Sequence, residues 1–425
     1  MSSFMFFVMI AMFALSVPVS IAIGWAGMVG AVTADGLSML VVAQQLFVAL
    51  DKYPLAAVPF FILAGNLMEA SGISQRLVEF AKSLVGGFQG GLAITCVLTC
   101  MIFAAVSGSS VATTFAIGAI LVPALLKHGY PRPYAASLQA TSAELGVIIP
   151  PSIPLILYGV SAEVPVGELF VAGFGPGLLI GLALMVFVWL WAKWKGLGKD
   201  DHVGRLEPWD ALKQASLALL MPVIILGGIY GGVFTPTEAS AVAVAYAFIV
   251  GVFVYRKLNK RLLIAALDKS IVSTAVIMFI IAAAGLFSFL ITRAGIPNLV
   301  GNSLTVAFDN PVMFLLAVNC ALFVIGMFIE TSAAIIVLAP ILAPIAISFG
   351  VDPVHFGVIM VVNLALGMIT PPFGVNLFAA CTVAQISLNR IVNSLLPFVA
   401  LMIVCLMLIT YIPSISLTLR DMVYP

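Results

Sequence analysis

Charge is what this sequence has least of. Only 8% of its 425 residues are charged, 63% are hydrophobic, and mean hydropathy is +1.23. A soluble domain carries about 25% charged and about 45–50% apolar residues, so a water-soluble fold is excluded and the solvent is lipid. The few charges nearly cancel, at net +1, which leaves no basic surface for nucleic acid. Histidine is scarce: His128, His202 and His355 read as polar-loop residues and make no zinc site. Cys96, Cys100, Cys320, Cys381 and Cys405 lie in apolar runs with no CxxC pair and read as small buried hydrophobes. The apolar runs hold no His and no Asp pair, so the catalytic sets of membrane enzymes are missing. The N-terminus has no basic n-region, and its apolar run is too long for a signal-peptide core, so it reads as a retained helix.

What is present is a series of apolar helices of about 20 residues, the length that crosses a bilayer. Simple spans are expected at 4–30, 54–70, 170–192, 215–234, 237–255, 270–292 and 394–417. Segment 38–50 fits either a span or an interfacial helix, and the side of the N-terminus depends on which. Basic residues mark cytoplasmic loops. Lys193, Lys195, Lys199, Arg205 and Lys213 place 193–213 inside, and Arg256, Lys257, Lys260 and Arg261 place the end of 237–255 inside. Glu207–Lys213, with Trp209 and Lys213 as headgroup anchors, reads as an amphipathic interfacial helix. Arg76, Lys82, Lys127 and Arg132 form another inside set. Residues 83–126 are apolar, with both ends on that side and a Ser107-Gly108-Ser109-Ser110 cluster in the middle. Two full spans joined by an outer loop satisfy the charges, and so does a re-entrant hairpin turning at that cluster, which the internal repeat favours.

Displacing the sequence by 221 positions aligns it with itself. Ile120, Leu121 and Pro123 fall on Ile341, Leu342 and Pro344, Gly129 on Gly350, and Pro150-Pro151 on Pro371-Pro372. The fold class expected is therefore an all-α polytopic membrane protein of two inverted-topology repeats, a recurring plan of secondary transporters. The first repeat is 1–196, with a hairpin at about 84–127 and a broken helix at 134–161. A cytoplasmic linker occupies 197–214. The second repeat is 215–425, with a hairpin at about 299–350 and a broken helix at 354–386.

The chemistry is expected where the helices break. A proline pair removes two N–H donors and clashes with the preceding turn, freeing carbonyl oxygens that a cation can occupy. Hydroxyls at the hairpin tips add ligands. Oxygens without an obligatory carboxylate suit Na⁺ better than a divalent ion. Two Na⁺ sites follow: Ser107, Ser110, Gly146, Ile149 and Pro151 for one, and Gly326, Thr331, Gly367, Thr370 and Pro372 for the other, the glycines and apolar residues acting through carbonyls. Ser109, Thr113, Ser152, Ser332, Asn363 and Asn376 are the candidates for substrate contact. Glu144 and Glu330 are acids in apolar surroundings, which are costly. They read either as proton carriers or as acids bonded to loop backbone. Arg293, at the end of 270–292, is a further candidate for meeting an anionic substrate.

Thr370-Pro371-Pro372-Phe373-Gly374-Val375-Asn376-Leu377-Phe378, with Pro340-Ile341-Leu342-Ala343-Pro344 upstream, resembles the large membrane subunit of tripartite ATP-independent periplasmic (TRAP) transporters. Phe103-Ala104-Ala105-Val106-Ser107-Gly108-Ser109-Ser110 and Gly146-Val147-Ile148-Ile149-Pro150-Pro151-Ser152 look like its first-half motifs, and the resemblance covers nearly the whole chain. It implies a multi-pass protein of the bacterial inner membrane that moves by an elevator mechanism and couples to Na⁺. It also implies a periplasmic binding protein that delivers an organic acid, such as a C4-dicarboxylate, a sugar acid or a sialic acid. A four-helix small membrane subunit completes the system, expected here as a separate chain. A stand-alone Na⁺- or H⁺-coupled dicarboxylate symporter of the same superfamily is the nearest alternative. A channel would need a continuous polar path, and the paired breaks favour an occluding site instead.

Overall fold

The computed structural model describes residues 2–15, 17–33, 37–198, 206–308 and 310–424, and every regular element within them is a helix. Lys199, His202 and Arg205, assigned to the polar loop between the halves, lie outside the described residues. Helices close their own backbone hydrogen bonds, which hydrocarbon requires. Among the described residues eight are long and apolar enough to cross a bilayer: Tyr53–Ala70, Ser110–Lys127, Val166–Lys195, Pro208–Tyr230, Pro236–Val254, Lys260–Arg293, Thr331–Ser348 and Leu388–Tyr411.

Several boundaries differ from the sequence expectation, each for a local reason. The span at 4–30 is two helices, Ser2–Ala14 and Val19–Thr33, with Pro18 just before the second. Met39–Leu50 has 12 residues, so it is about 18 Å long and too short to span. The interfacial helix at 207–213 and the span at 215–234 are one helix, Pro208–Tyr230, because no breaker separates them. The last span ends at Tyr411 rather than 417, since Pro413 pushes Ile412 out of helical geometry, and a separate helix Ser414–Val423 follows. Residues 299–307 belong to a short helix, Ile296–Ala307, and not to the second hairpin. His355 is buried in a helix rather than a loop, and Cys320 is exposed rather than buried.

The two halves repeat the same series of elements. The first hairpin pairs Gly91–Ser107 with Ser110–Lys127, and the second pairs Pro311–Gly326 with Thr331–Ser348. Each is followed by a left-handed glycine, Gly129 at φ +80° and Gly350 at φ +78°. The first broken helix runs Arg132–Ile148, breaks at a cis Pro150–Pro151 bond, and resumes as Ile153–Ala162 with a 43° bend. The second runs Pro353–Met368, breaks at a cis Pro371–Pro372 bond, and resumes as Val375–Ala384. The resumed helices end on left-handed Glu163 and Gln385. The short helices Ile73–Val85 and Ile296–Ala307 each start after a left-handed glycine, Gly72 and Gly295.

Packing between the halves is reciprocal. Ile153–Ala162 lies on Thr331–Ser348, and its counterpart Val375–Ala384 lies on Ser110–Lys127. Val166–Lys195 lies on Pro353–Met368, and its counterpart Leu388–Tyr411 lies on Arg132–Ala143. Such exchange is what a twofold axis between equivalent units produces. The broken helices form the core: Tyr134–Ala143 and Val354–Met368 are buried without interruption.

Candidate functional site

The first hairpin tip is a cluster of oxygens. Ser107 ends the first arm, and Gly108 turns the chain at φ +62°. Ser109 caps the second arm, its Oγ accepting from Ala112 N at 3.4 Å. Thr113 Oγ1 donates to the Ser109 carbonyl at 2.8 Å and lies 3.0 Å from Ser107 Oγ. Ser107 Oγ in turn lies 3.1 Å from the same carbonyl. Two glycines let the first break press against this cluster. A Cβ on Gly146 would sit 2.7 Å from Thr113 Oγ1 and 2.8 Å from the Ser109 carbonyl. A Cβ on Gly108 would sit 2.9 Å from the Pro151 carbonyl. The structure thus brings Ser107, Ser109, Thr113, Gly146 and Pro151 together. Ile149 is buried, with its side chain against Gly177. The Ser152 hydroxyl braces the break, donating to the Val147 carbonyl and accepting from Leu155 N.

Behind this tip lies a polar network that joins the halves. Asn376 Nδ2 donates to Glu144 Oε1 at 2.7 Å and to the Ala140 carbonyl at 3.0 Å. Its Oδ1 accepts from Thr114 Oγ1 at 2.6 Å. The Ser110 hydroxyl is buried and has no hydrogen-bond partner among the described residues, so it does not join the oxygen cluster of the tip. Glu144 is fully buried, so it belongs to the framework of the breaks, bonded by a side chain of the opposite half.

The second tip uses an acid where the first uses a hydroxyl. Glu330 is its N-cap, at the position that the 221-residue offset gives to Ser109. Its oxygens accept from Ala333 N at 3.1 Å and from Ser332 Oγ at 2.9 Å. Gly326 and Gly367 touch backbone to backbone, and a Cβ on Gly367 would collide with Gly326. Thr331 Oγ1 lies 2.8 Å from Met368 Sδ. Thr370 Oγ1 donates to the Leu366 carbonyl at 2.8 Å, and Pro372 is exposed beside Phe373. Gly326, Thr331 and Gly367 therefore converge, while Thr370 is turned back on its own helix. Asn363 is elsewhere: its Nδ2 donates to Asn319 Oδ1 at 2.7 Å, and Asn319 donates to Thr410 Oγ1 at 3.0 Å.

Both tips open into one cavity of about 640 Å³, within the range of about 300–1,000 Å³ typical of small-ligand sites. Ser107 and Ser109 face it from one tip, Glu330 and Ser332 from the other. Its far wall is built by the helices Ala57–Ala70 and Lys260–Arg293, which contribute Asn66, Glu69, Lys269 and Ser273. Lys269 Nζ lies 2.8 Å from Glu69 Oε2, and Asn66 Nδ2 donates to Ser270 Oγ at 2.8 Å. Of the six substrate candidates, Ser109 and Ser332 line the cavity; Thr113, Ser152, Asn363 and Asn376 do not, and neither does Arg293. The sequence analysis missed the wall residues. Glu69 and Lys269 are 200 residues apart, and each reads alone as an ordinary charge at the edge of an expected span.

A helical membrane fold with two oxygen-lined tips meeting in a ligand-sized cavity defines a solute permease. The chain belongs to the family of the DctM component of tripartite ATP-independent periplasmic transporters, whose family model matches residues 6–415. It is a multi-pass protein of the bacterial inner membrane. It is 41% identical to the C4-dicarboxylate TRAP transporter large permease protein DctM of Vibrio cholerae, over 97% of this chain and 96% of that one. It is 36% identical to the sialic acid TRAP transporter large permease protein SiaM of the same organism, over 94% and 97%. Its fold resembles the crystal structure of the Alcanivorax borkumensis YdaH transporter, with TM-score 0.63 at 16% identity over 89% of this chain and 88% of that one. Membership implies solute uptake together with a small membrane subunit and a periplasmic binding protein.

Proposed function

We propose that this chain is the translocating subunit for Na⁺-driven uptake of an organic acid delivered by a periplasmic binding protein. The observation that carries the reading is the shared cavity: both hairpin tips face one ligand-sized space against the same two long helices. The donor chemistry suits Na⁺ as co-transported ion. At the first tip Ser107 Oγ, Thr113 Oγ1 and the Ser109 carbonyl cluster against the Gly146 backbone, with the Pro151 carbonyl close to Gly108. Hard monovalent cations take such neutral oxygens. At the second, the Gly326–Gly367 contact and Thr331 supply the equivalent place. Two organic-acid permeases among the relatives favour an acid as cargo.

The same reading makes the broken helices and hairpins one moving body, sliding as an elevator against the helices that build the far wall. Reciprocal packing of the halves supports it, since an inverted repeat gives the moving body two equivalent positions across the membrane. The test is uptake of radiolabelled organic acids into proteoliposomes holding this chain and its small subunit, under an inward Na⁺ gradient. Uptake only when the cognate binding protein is present is the expected result. Uptake indifferent to the binding protein would replace this reading with a stand-alone symporter.

A further inference from the structure

The cavity wall carries one base. Lys269 is the sole Lys, Arg or His among its described lining residues, against two acids, Glu69 and Glu330. Glu330 is committed to its own helix, accepting from Ala333 N and Ser332 Oγ. Glu69 is committed to Lys269 at 2.8 Å, and both side chains retain exposure, 32% and 52%. One turn away, Asn66 already ties the same two helices together through Ser270, and that bond is buried. The helices are therefore held by a neutral contact, which leaves the charged pair available for exchange.

We propose that Lys269 binds the carboxylate of the transported acid, and that Glu69 takes the place of that carboxylate when no substrate is bound. The inference rests on the organic-acid reading above and names a wall residue that meets the acid while the two tips face this wall. Exchanging one carboxylate for another on the same ammonium keeps the charge-assisted hydrogen bond and returns Glu69 to the open cavity. Binding is then reversible at small net cost, as a carrier that must release its cargo requires. Val272, Val276 and Ile277, on the turns after Lys269, line the cavity with apolar surface that the carbon skeleton of the acid can cover.

The test uses the full chain with its small subunit in proteoliposomes, supplied with binding protein and with succinate, sialic acid or gluconate. Initial rates are measured for the acid that the wild type takes up. Lys269→Met is expected to raise KM by about tenfold or more with kcat little changed, while Lys269→Arg keeps most of the affinity. Glu69→Gln is expected to move the opposite way, lowering KM by about threefold, because it removes the internal competitor. The exchanged pair Glu69→Lys with Lys269→Glu does not restore KM. A pair that merely joins two helices gives the reverse pattern: both single variants weaken uptake alike and the exchange rescues it, which would overturn the inference while leaving organic-acid uptake intact. Absence of uptake of every acid by the wild type would overturn the functional reading itself.

Discussion

Asn376 donates a 2.7 Å hydrogen bond to Glu144, a residue 232 positions earlier in the chain. The asparagine stands just past the second proline break, and the glutamate just before the first. The same amide also holds the Ala140 carbonyl and the Thr114 hydroxyl. One side chain thus ties the first hairpin and both broken helices into a unit.

Asn376→Leu should therefore cost stability before it costs recognition. It leaves the buried Glu144 carboxyl without this donor, at about 1–3 kcal/mol per orphaned group. The melting temperature of the purified protein in detergent is expected to fall. Asn376→Leu combined with Glu144→Leu should fall by less than the sum of the single variants, because both remove the same interaction. Additive losses would show that the two residues act separately.

The close approaches at the tips give a graded glycine series. Gly108→Ala combines a left-handed backbone, at about 1–2 kcal/mol for a residue with a Cβ, with a 2.9 Å approach to the Pro151 carbonyl. Gly367→Ala forces Gly326 away. Gly129→Ala carries a similar left-handed backbone but meets nothing within 4 Å. Uptake at equal protein level should be lost in the first two variants and retained in the third. Loss in Gly108→Ala and Gly129→Ala alike, with uptake retained in Gly367→Ala, would mean that backbone conformation, and not contact at the tips, sets the result.

Arg420 anchors the C-terminal helix to both halves. Its guanidinium reaches Glu168 Oε2 and Asp352 Oδ2, each at 3.1 Å. Asp352 also caps the second broken helix. Arg420→Met should speed amide exchange across Ser414–Val423, read by hydrogen–deuterium exchange mass spectrometry. Arg420→Lys should restore protection only in part, since an ammonium lacks the planar fork that meets two carboxylates at once. Unchanged exchange in Arg420→Met would show that apolar packing alone holds this helix.

The parts of this architecture written as local punctuation were legible in the sequence. Pro150-Pro151 and Pro371-Pro372 marked the breaks, the Ser107–Ser110 cluster marked a tip, and the 221-residue offset matched Ser110–Lys127 to Thr331–Ser348. What stayed hidden depends on partners distant in the chain. Asn363 resembles a site residue by position, yet it bonds Asn319, and no local signal announces that choice. Ser152 sits beside a break, yet it satisfies a carbonyl that the break itself frees. The wall of the cavity was missed because Asn66, Glu69 and Lys269 gain meaning only when two helices 200 residues apart lie side by side. Ile296–Ala307 stands apart from the hairpin because Phe308 leaves helical geometry before Pro311 opens the next arm, a break with no glycine or proline at its start to announce it.

The central claim is that the two tips hold coupling ions for one cavity. It is tested most directly by the Na⁺ dependence of initial uptake in proteoliposomes, for wild type, Ser107→Ala and Thr331→Ala. A steeper than hyperbolic rise with Na⁺ is expected for the wild type. Each variant is expected to need about tenfold more Na⁺ and to lose that steepness, as removal of one of two coupled ligand sets requires. Uptake that ignores Na⁺ and follows an imposed proton gradient would contradict the claim and shift the coupling role to Glu144 and Glu330.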